Sequence, residues 1–161
     1  MYVPYDQLPA TTRTWIYQAG RPLADYERKA ILVSAESFVN NWSSHGQSLR
    51  GSVAMLADRF LIIGVDESYK AVSGCAYDTS LKFVETLEQS IEIPLLDRSQ
   101  IAFRNKQAKI YTVPLSEIQE NMANSRIAAE DDIFDTSLTT KKEIENKFPM
   151  PIMNSWASRY L

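Results

Sequence analysis

The chain has 161 residues, 45% hydrophobic and 23% charged, with 17 Lys and Arg against 20 Asp and Glu for a formal net charge of -3. Length and composition describe an ordinary globular chain, expected to form a single α+β domain over residues 1–161 and to bury about 70% of its unfolded surface without staples. The mild acidity and scattered basic residues argue against nucleic acid or an anionic membrane surface as partner, since both need clustered Lys and Arg.

No stretch approaches the roughly 18 consecutive apolar residues of a membrane span, so no membrane insertion is expected. The N-terminus, Met1-Tyr2-Val3-Pro4-Tyr5-Asp6, lacks the basic-then-apolar order of a secretory signal. Cys75 is the single cysteine, so no internal disulfide forms, and a reducing cytoplasm is the expected setting.

In chain order, Thr14 to Ala19 is rich in β-formers and reads as a strand, broken by Gly20-Arg21-Pro22. A helix follows from about Asp25 to Trp42, with Ile31, Ala35, Phe38 and Trp42 on one stripe and Asp25 and Glu27 at its positive end. Ser43-Ser44-His45-Gly46 reads as its end, with Gly46 as a left-handed cap. Leu49 to Ala57 alternates loosely. Phe60 to Val65 is apolar on both faces and reads as a buried central strand. Asp66 to Tyr77 reads as loop. A second helix is expected from about Thr79 to Ile91, capped by Asp78 or Thr79, with Val84, Leu87 and Ile91 as its stripe.

Ile101–Arg104 and Ala108–Val113 read as a hairpin around Asn105-Lys106-Gln107. Pro114 then opens a short helix. Thr140-Lys141-Lys142-Glu143 has capping-box spacing before a helix that stops at Pro149. A last short helix is expected near Asn154 to Tyr160. The order βαββαβ matches a ferredoxin-like core, followed by an extra C-terminal strand and a helical tail.

Few residues here spell out chemistry. Cys75 lies in Ser73-Gly74-Cys75-Ala76-Tyr77-Asp78-Thr79-Ser80, close before the expected helix start. A thiol near a helix N-terminus is favoured as thiolate, and the Ser73-Gly74 amides are able to form an anion nest. The alternative is a small hydrophobe packed under the helix. His45, the only histidine, is a candidate general base for Cys75 or a simple helix C-terminal residue. Asp66, beside Glu67 at the end of the central strand, is a further catalytic candidate or a solvated loop acid. Ser73, Gly74, Asp78 and Arg98 are candidate ligand-binding residues for a small anion.

The absences are more specific. The chain has no Gly-x-x-x-x-Gly-Lys-Ser/Thr, no Gly-x-Gly-x-x-Gly after a strand, no Gly-x-Ser-x-Gly, no His-Glu-x-x-His and no Cys-x-x-Cys. No cofactor is called for. With one His and one Cys, a zinc site would rest on carboxylates, so no metal is expected.

Several stretches carry a family resemblance: Tyr2–Pro9, Trp15–Ala19, Trp42–Gly46, Gly64–Ser68, Ser73–Ser80 and Ser155–Tyr160. Through them the chain resembles a small family of uncharacterised bacterial proteins commonly labelled "ABC transporter ATPase", over nearly its whole length. The resemblance implies a soluble bacterial protein and assigns no catalytic residue. Three functions are weighed on this footing. The first is a binding module for a small ligand or a protein, self-association through exposed strand edges included. The second is a thiol-dependent or redox-responsive protein using Cys75 with His45. The third is the nucleotide hydrolase of the family label, for which the phosphate loop is missing.

Overall fold

The computed structural model describes residues 1–161, and the chain divides into two compact units. The first comprises Met1–Asp97 with Ser137–Lys142, the second Arg98–Thr136 with Glu143–Leu161. Helix and antiparallel sheet are mixed throughout, so the α+β class holds. No helix is long and apolar enough to cross a membrane.

The first unit opens with a 3-10 turn at Tyr5–Gln7 and runs β1 (Arg13–Gln18), α1 (Asp25–Asn41), β2 (Ser43–Ser44), β3 (Gln47–Ser48), β4 (Gly51–Leu56), β5 (Phe60–Val65) and α2 (Gly74–Ile91). β5 lies between β1 and β4, antiparallel to both, with Ile62 opposite Ile16 on one side and Ala54 on the other. Every β5 residue is buried, as its two apolar faces require. One face, through Tyr17, Leu61, Ile63 and Val53, shares a core with Ile31, Ala35 and Val39 of α1 and Ala76, Val84 and Leu87 of α2. Each of the Leu, Ile and Val side chains among them contributes about 1.5–3 kcal/mol on burial.

Two boundaries differ from the sequence expectation. α1 ends at Asn41, and His45 and Gly46 form the turn of a two-residue hairpin between β2 and β3, not a helix cap. Both have positive φ, 51° and 75°, as a type I′ turn demands. α2 begins at Gly74, with Ser73 as N-cap in place of Asp78 or Thr79. The reason is packing. Ala76 and Ser80 are buried, so the buried stripe runs two turns further back than Val84 suggests.

The first sheet has three strands, in the order β1-β5-β4, where the ferredoxin-like expectation has four. The strand expected as its fourth, β6 (Gln100–Arg104), belongs instead to a second sheet. A short turn lets one of its edges pair with its own hairpin neighbour, and Asp132–Phe134 takes the other edge, so its hydrogen bonds are satisfied within the second sheet.

The first unit is closed by residues 137–142. Thr14 N donates to Thr139 O at 2.8 Å, Lys141 N to Thr12 O at 2.9 Å and Lys142 N to Ala10 O at 2.9 Å, along the free edge of β1. The Lys141 ammonium is buried. It donates to Leu8 O at 2.7 Å and lies 5.2 Å from the Tyr5 ring centroid. A buried ammonium needs such acceptors, because desolvation otherwise costs several kcal/mol.

The second unit runs β6, β7 (Ile110–Pro114), α3 (Ile118–Ala123) and β8 (Asp132–Phe134); α4 (Lys141–Lys147) then crosses into it, and β9 (Met150–Pro151) follows. Its sheet has the order β7-β6-β8-β9. The β6–β7 hairpin turns through Asn105-Lys106-Gln107 as the sequence suggests. Asn105 Oδ1 accepts from Gln107 N and Lys109 N, both at 3.0 Å. The chain ends in 3-10 turns at Ile152–Asn154 and Trp156–Tyr160, the latter capped by Ser155.

Candidate functional site

The first turn of α2 is held from two sides. Ser73 Oγ accepts from Ala76 N at 3.1 Å, the expected bond of a serine cap. Ser73 N donates to Ser44 Oγ at 3.2 Å, which ties this turn to the β2–β3 hairpin. Trp42 Nε1 donates to Ala76 O at 2.9 Å, a second tie between the same segments.

Cys75 is exposed, the second residue of α2. Its carbonyl accepts from Thr79 Oγ1 at 2.9 Å. Gly74 is exposed beside it, and a Cβ there would meet nothing within 4 Å, so the space above this turn is open. The first N–H groups of a helix have no intrahelical acceptor and face outward. Asp78 is exposed a turn further in and does not cap the helix.

His45 is exposed at the hairpin turn. The fold therefore brings the His45 hairpin to the Cys75 turn, and the bonds that join them come from Ser44 and Trp42, not from the imidazole or the thiol. Asp66 follows β5 and is 7% exposed. Its Oδ1 accepts from Ser68 N at 3.1 Å and from the Ser68 hydroxyl, while Arg50 Nε lies 3.8 Å from Oδ2. Asp66 thus anchors its own loop. Its neighbour Glu67 pairs with Arg13 at 3.1 Å. Arg98 opens the second unit and is exposed. No group of three or more His, Cys, Asp or Glu side chains gathers as a metal-ligand set.

One feature of the first unit has no counterpart in the sequence expectations. α1 and α2 flank an open groove of about 510 Å³ lined by Ser34, Ser37, Phe38, Asn41, Thr79 and Phe83, with Trp42 and Ser43 at its end. The Phe38 and Phe83 rings stack at 4.4 Å between centroids and 5° between planes. Phe38 also meets Trp42 at 5.2 Å, and Trp42 meets Trp15 at 6.2 Å, so aromatic contacts run from the groove into the core. Each Phe sits at the edge of its helical stripe. Nothing in the order of residues announces that two such edges, 45 positions apart, come together.

No family model, no curated protein and no solved structure matches this chain.

The groove offers aromatic surface from Phe38, Trp42 and Phe83 beside the hydroxyl and amide groups of Ser34, Ser37, Asn41, Ser43 and Thr79. Aromatic surface beside convergent hydroxyl and amide groups is chemistry that suits a small molecule carrying both a ring and polar groups. Thr79 joins the groove to the first turn of α2, where outward N–H groups and the positive end of an 18-residue helix favour negative charge.

Proposed function

We propose that the chain is a binding module without a catalytic step, whose first unit receives a small aromatic anion in the groove between α1 and α2. The stacked Phe38–Phe83 pair carries this reading. The ligand's ring lies against the stacked pair near Trp42, and its charged group faces the α2 N-terminus past Thr79. The same proposal keeps the ferredoxin-like description for the β1–α1–β4–β5–α2 part of the chain, the bacterial family resemblance, and a cytoplasmic setting. The exposed thiol of Cys75 suits a reducing compartment.

Titration with 8-anilinonaphthalene-1-sulfonate, an aromatic sulfonate whose fluorescence rises on binding, tests the site. Saturable binding at one equivalent is expected, lost in Phe83→Ser. Each variant must still melt cooperatively, since loosely packed states also bind this dye. Absence of saturable binding, or equal binding by Phe83→Ser, overturns the proposal.

One observation favours a second function. Cys75 is exposed at a helix start, where thiols are reactive. Thiol chemistry at Cys75, without a relay through His45, is therefore the alternative.

A further inference from the structure

The second unit holds a groove of a different character. Its volume is about 380 Å³, and it lies between the β6–β7 turn and the segment leading into β8. Lys106, Lys109 and Arg126 line it with Glu130, and the buried Asp131 and half-buried Tyr111 complete it.

Asp131 is 4% exposed. Its Oδ2 accepts from the Tyr111 hydroxyl at 2.6 Å and from Ala128 N at 3.4 Å, which leaves Oδ1 as the carboxylate's remaining acceptor. Burial, and then the hydrogen bond to Asp131, push the Tyr111 phenol well above its ordinary range. Tyr111 therefore stays a donor to Asp131 across physiological pH.

The cations stand on a braced frame. Asn105 Oδ1 holds the amides of Gln107 and Lys109 on either side of the turn. Arg126 N donates to Asn121 O at 2.9 Å and to Asn124 Oδ1 at 3.2 Å. The side chains are thus presented by backbone that is already tied down, which lowers the ordering cost of binding.

We propose that this groove binds a phosphorylated polyol of sugar-phosphate size, with its phosphate on Lys106, Lys109 and Arg126 and its hydroxyl groups donating to Asp131. The two halves of the site ask for opposite chemistry. Lysine and arginine take phosphate oxygens as charge-assisted acceptors. A buried carboxylate takes donors, and a phosphate brought against it would be repelled. One small molecule carrying both a phosphate and vicinal hydroxyls satisfies both halves, and the volume sits at the small end of ligand sites.

Calorimetric titration of the full chain with D-ribose 5-phosphate, glycerol 3-phosphate, D-ribose and inorganic phosphate tests the site. At least one of the two phosphorylated polyols binds saturably, about tenfold or more tighter than ribose or phosphate alone, and raised salt weakens that binding. Lys106→Ala/Lys109→Ala, an exposed pair whose removal leaves the core intact, weakens it by about tenfold or more. Asp131→Asn narrows the gap between polyol phosphate and inorganic phosphate. Equal affinity for inorganic phosphate marks an unspecific cationic patch and overturns the proposal. So does the absence of saturable binding by both polyol phosphates, or unchanged binding in the double lysine variant.

Discussion

The indole N–H of Trp42 donates to the carbonyl oxygen of Ala76 at 2.9 Å inside the first unit, joining the residue after α1 to the first turn of α2. Trp42 is 3% exposed and touches both Phe38 and Trp15. One side chain thus fixes the hairpin, the helix start and the end of the aromatic groove together. Trp42→Phe removes the donor and part of the volume, and costs about 2–4 kcal/mol of unfolding free energy. Urea denaturation checks this, and an unchanged midpoint would show that the bond does not hold the two segments together.

Cys75 is expected to react with a thiol-directed disulfide reagent in the native state, at one equivalent, without prior unfolding, because the residue is exposed. The segments of His45 and Cys75 meet through Ser44 and Ser73. His45→Ala therefore leaves the rate and its pH profile unchanged. A profile displaced by His45→Ala would restore the Cys–His pair as a functional unit.

Glu27 supplies half of a capping box. Its carboxylate accepts from Ala24 N at 2.9 Å, but Ala24 has no side-chain acceptor to offer in return. Ala24→Ser completes the motif at an exposed position whose backbone is already extended. A gain of about 0.5–1 kcal/mol is expected by chemical denaturation.

The same carboxylate sets an acid limit. The bidentate contact with Arg21, first, and the Ala24 N–H, second, lower Glu27 from 4.5 to about 2. A depressed carboxylate contributes stability that is fully present above its unfolded value and disappears as pH falls toward its folded one. The contribution of Glu27 is therefore lost between about 4.5 and about 2. Melting temperature followed across that window should fall less steeply in Glu27→Gln than in the parent. Parallel curves would show that the Arg21 pair is too solvated to matter.

α2 ends on Glu92, exposed and left-handed at φ 56°. A side chain there meets the following carbonyl, a strain glycine avoids. Glu92→Gly is expected to raise stability by up to about 1 kcal/mol, the entropy of the more flexible unfolded chain offsetting part of the relief. A lowered thermal midpoint would mean that the Glu92 side chain has a stabilising contact.

Which elements were legible follows from how local their signals are. Phe60–Val65 announces itself because both faces are apolar, and Asp25–Asn41 because Ile31, Ala35, Phe38 and Trp42 recur at helical spacing. His45-Gly46 was legible as left-handed backbone, but a helix cap and a type I′ turn use the same residues, and only the partner strand Gln47–Ser48 separates them. The start of α2 was displaced because Ser73, Asp78 and Thr79 are all good caps, and the choice rests on the burial of Ala76 and its bond to Trp42. β8 has three residues and β9 two, too few for a period, yet β8 pairs with β6 and thereby defines the second sheet. The α1–α2 groove and the Asp131–Tyr111 pair depend on contacts 45 and 20 positions apart, which no local pattern encodes.

The edge of β1 is closed by Thr139 and Lys141, more than a hundred positions after the strand itself. A ribosome therefore releases β1, α1, β4, β5 and α2 well before it releases the residues that finish their unit. During that interval Thr14 N and Thr12 O lack their final partners, and the carbonyl of Leu8 waits for its ammonium. Nascent chains stopped at Asp97 would carry an open strand edge, the kind of surface that recruits other chains. Completion of the first unit is thus timed by translation of the segment that also begins α4.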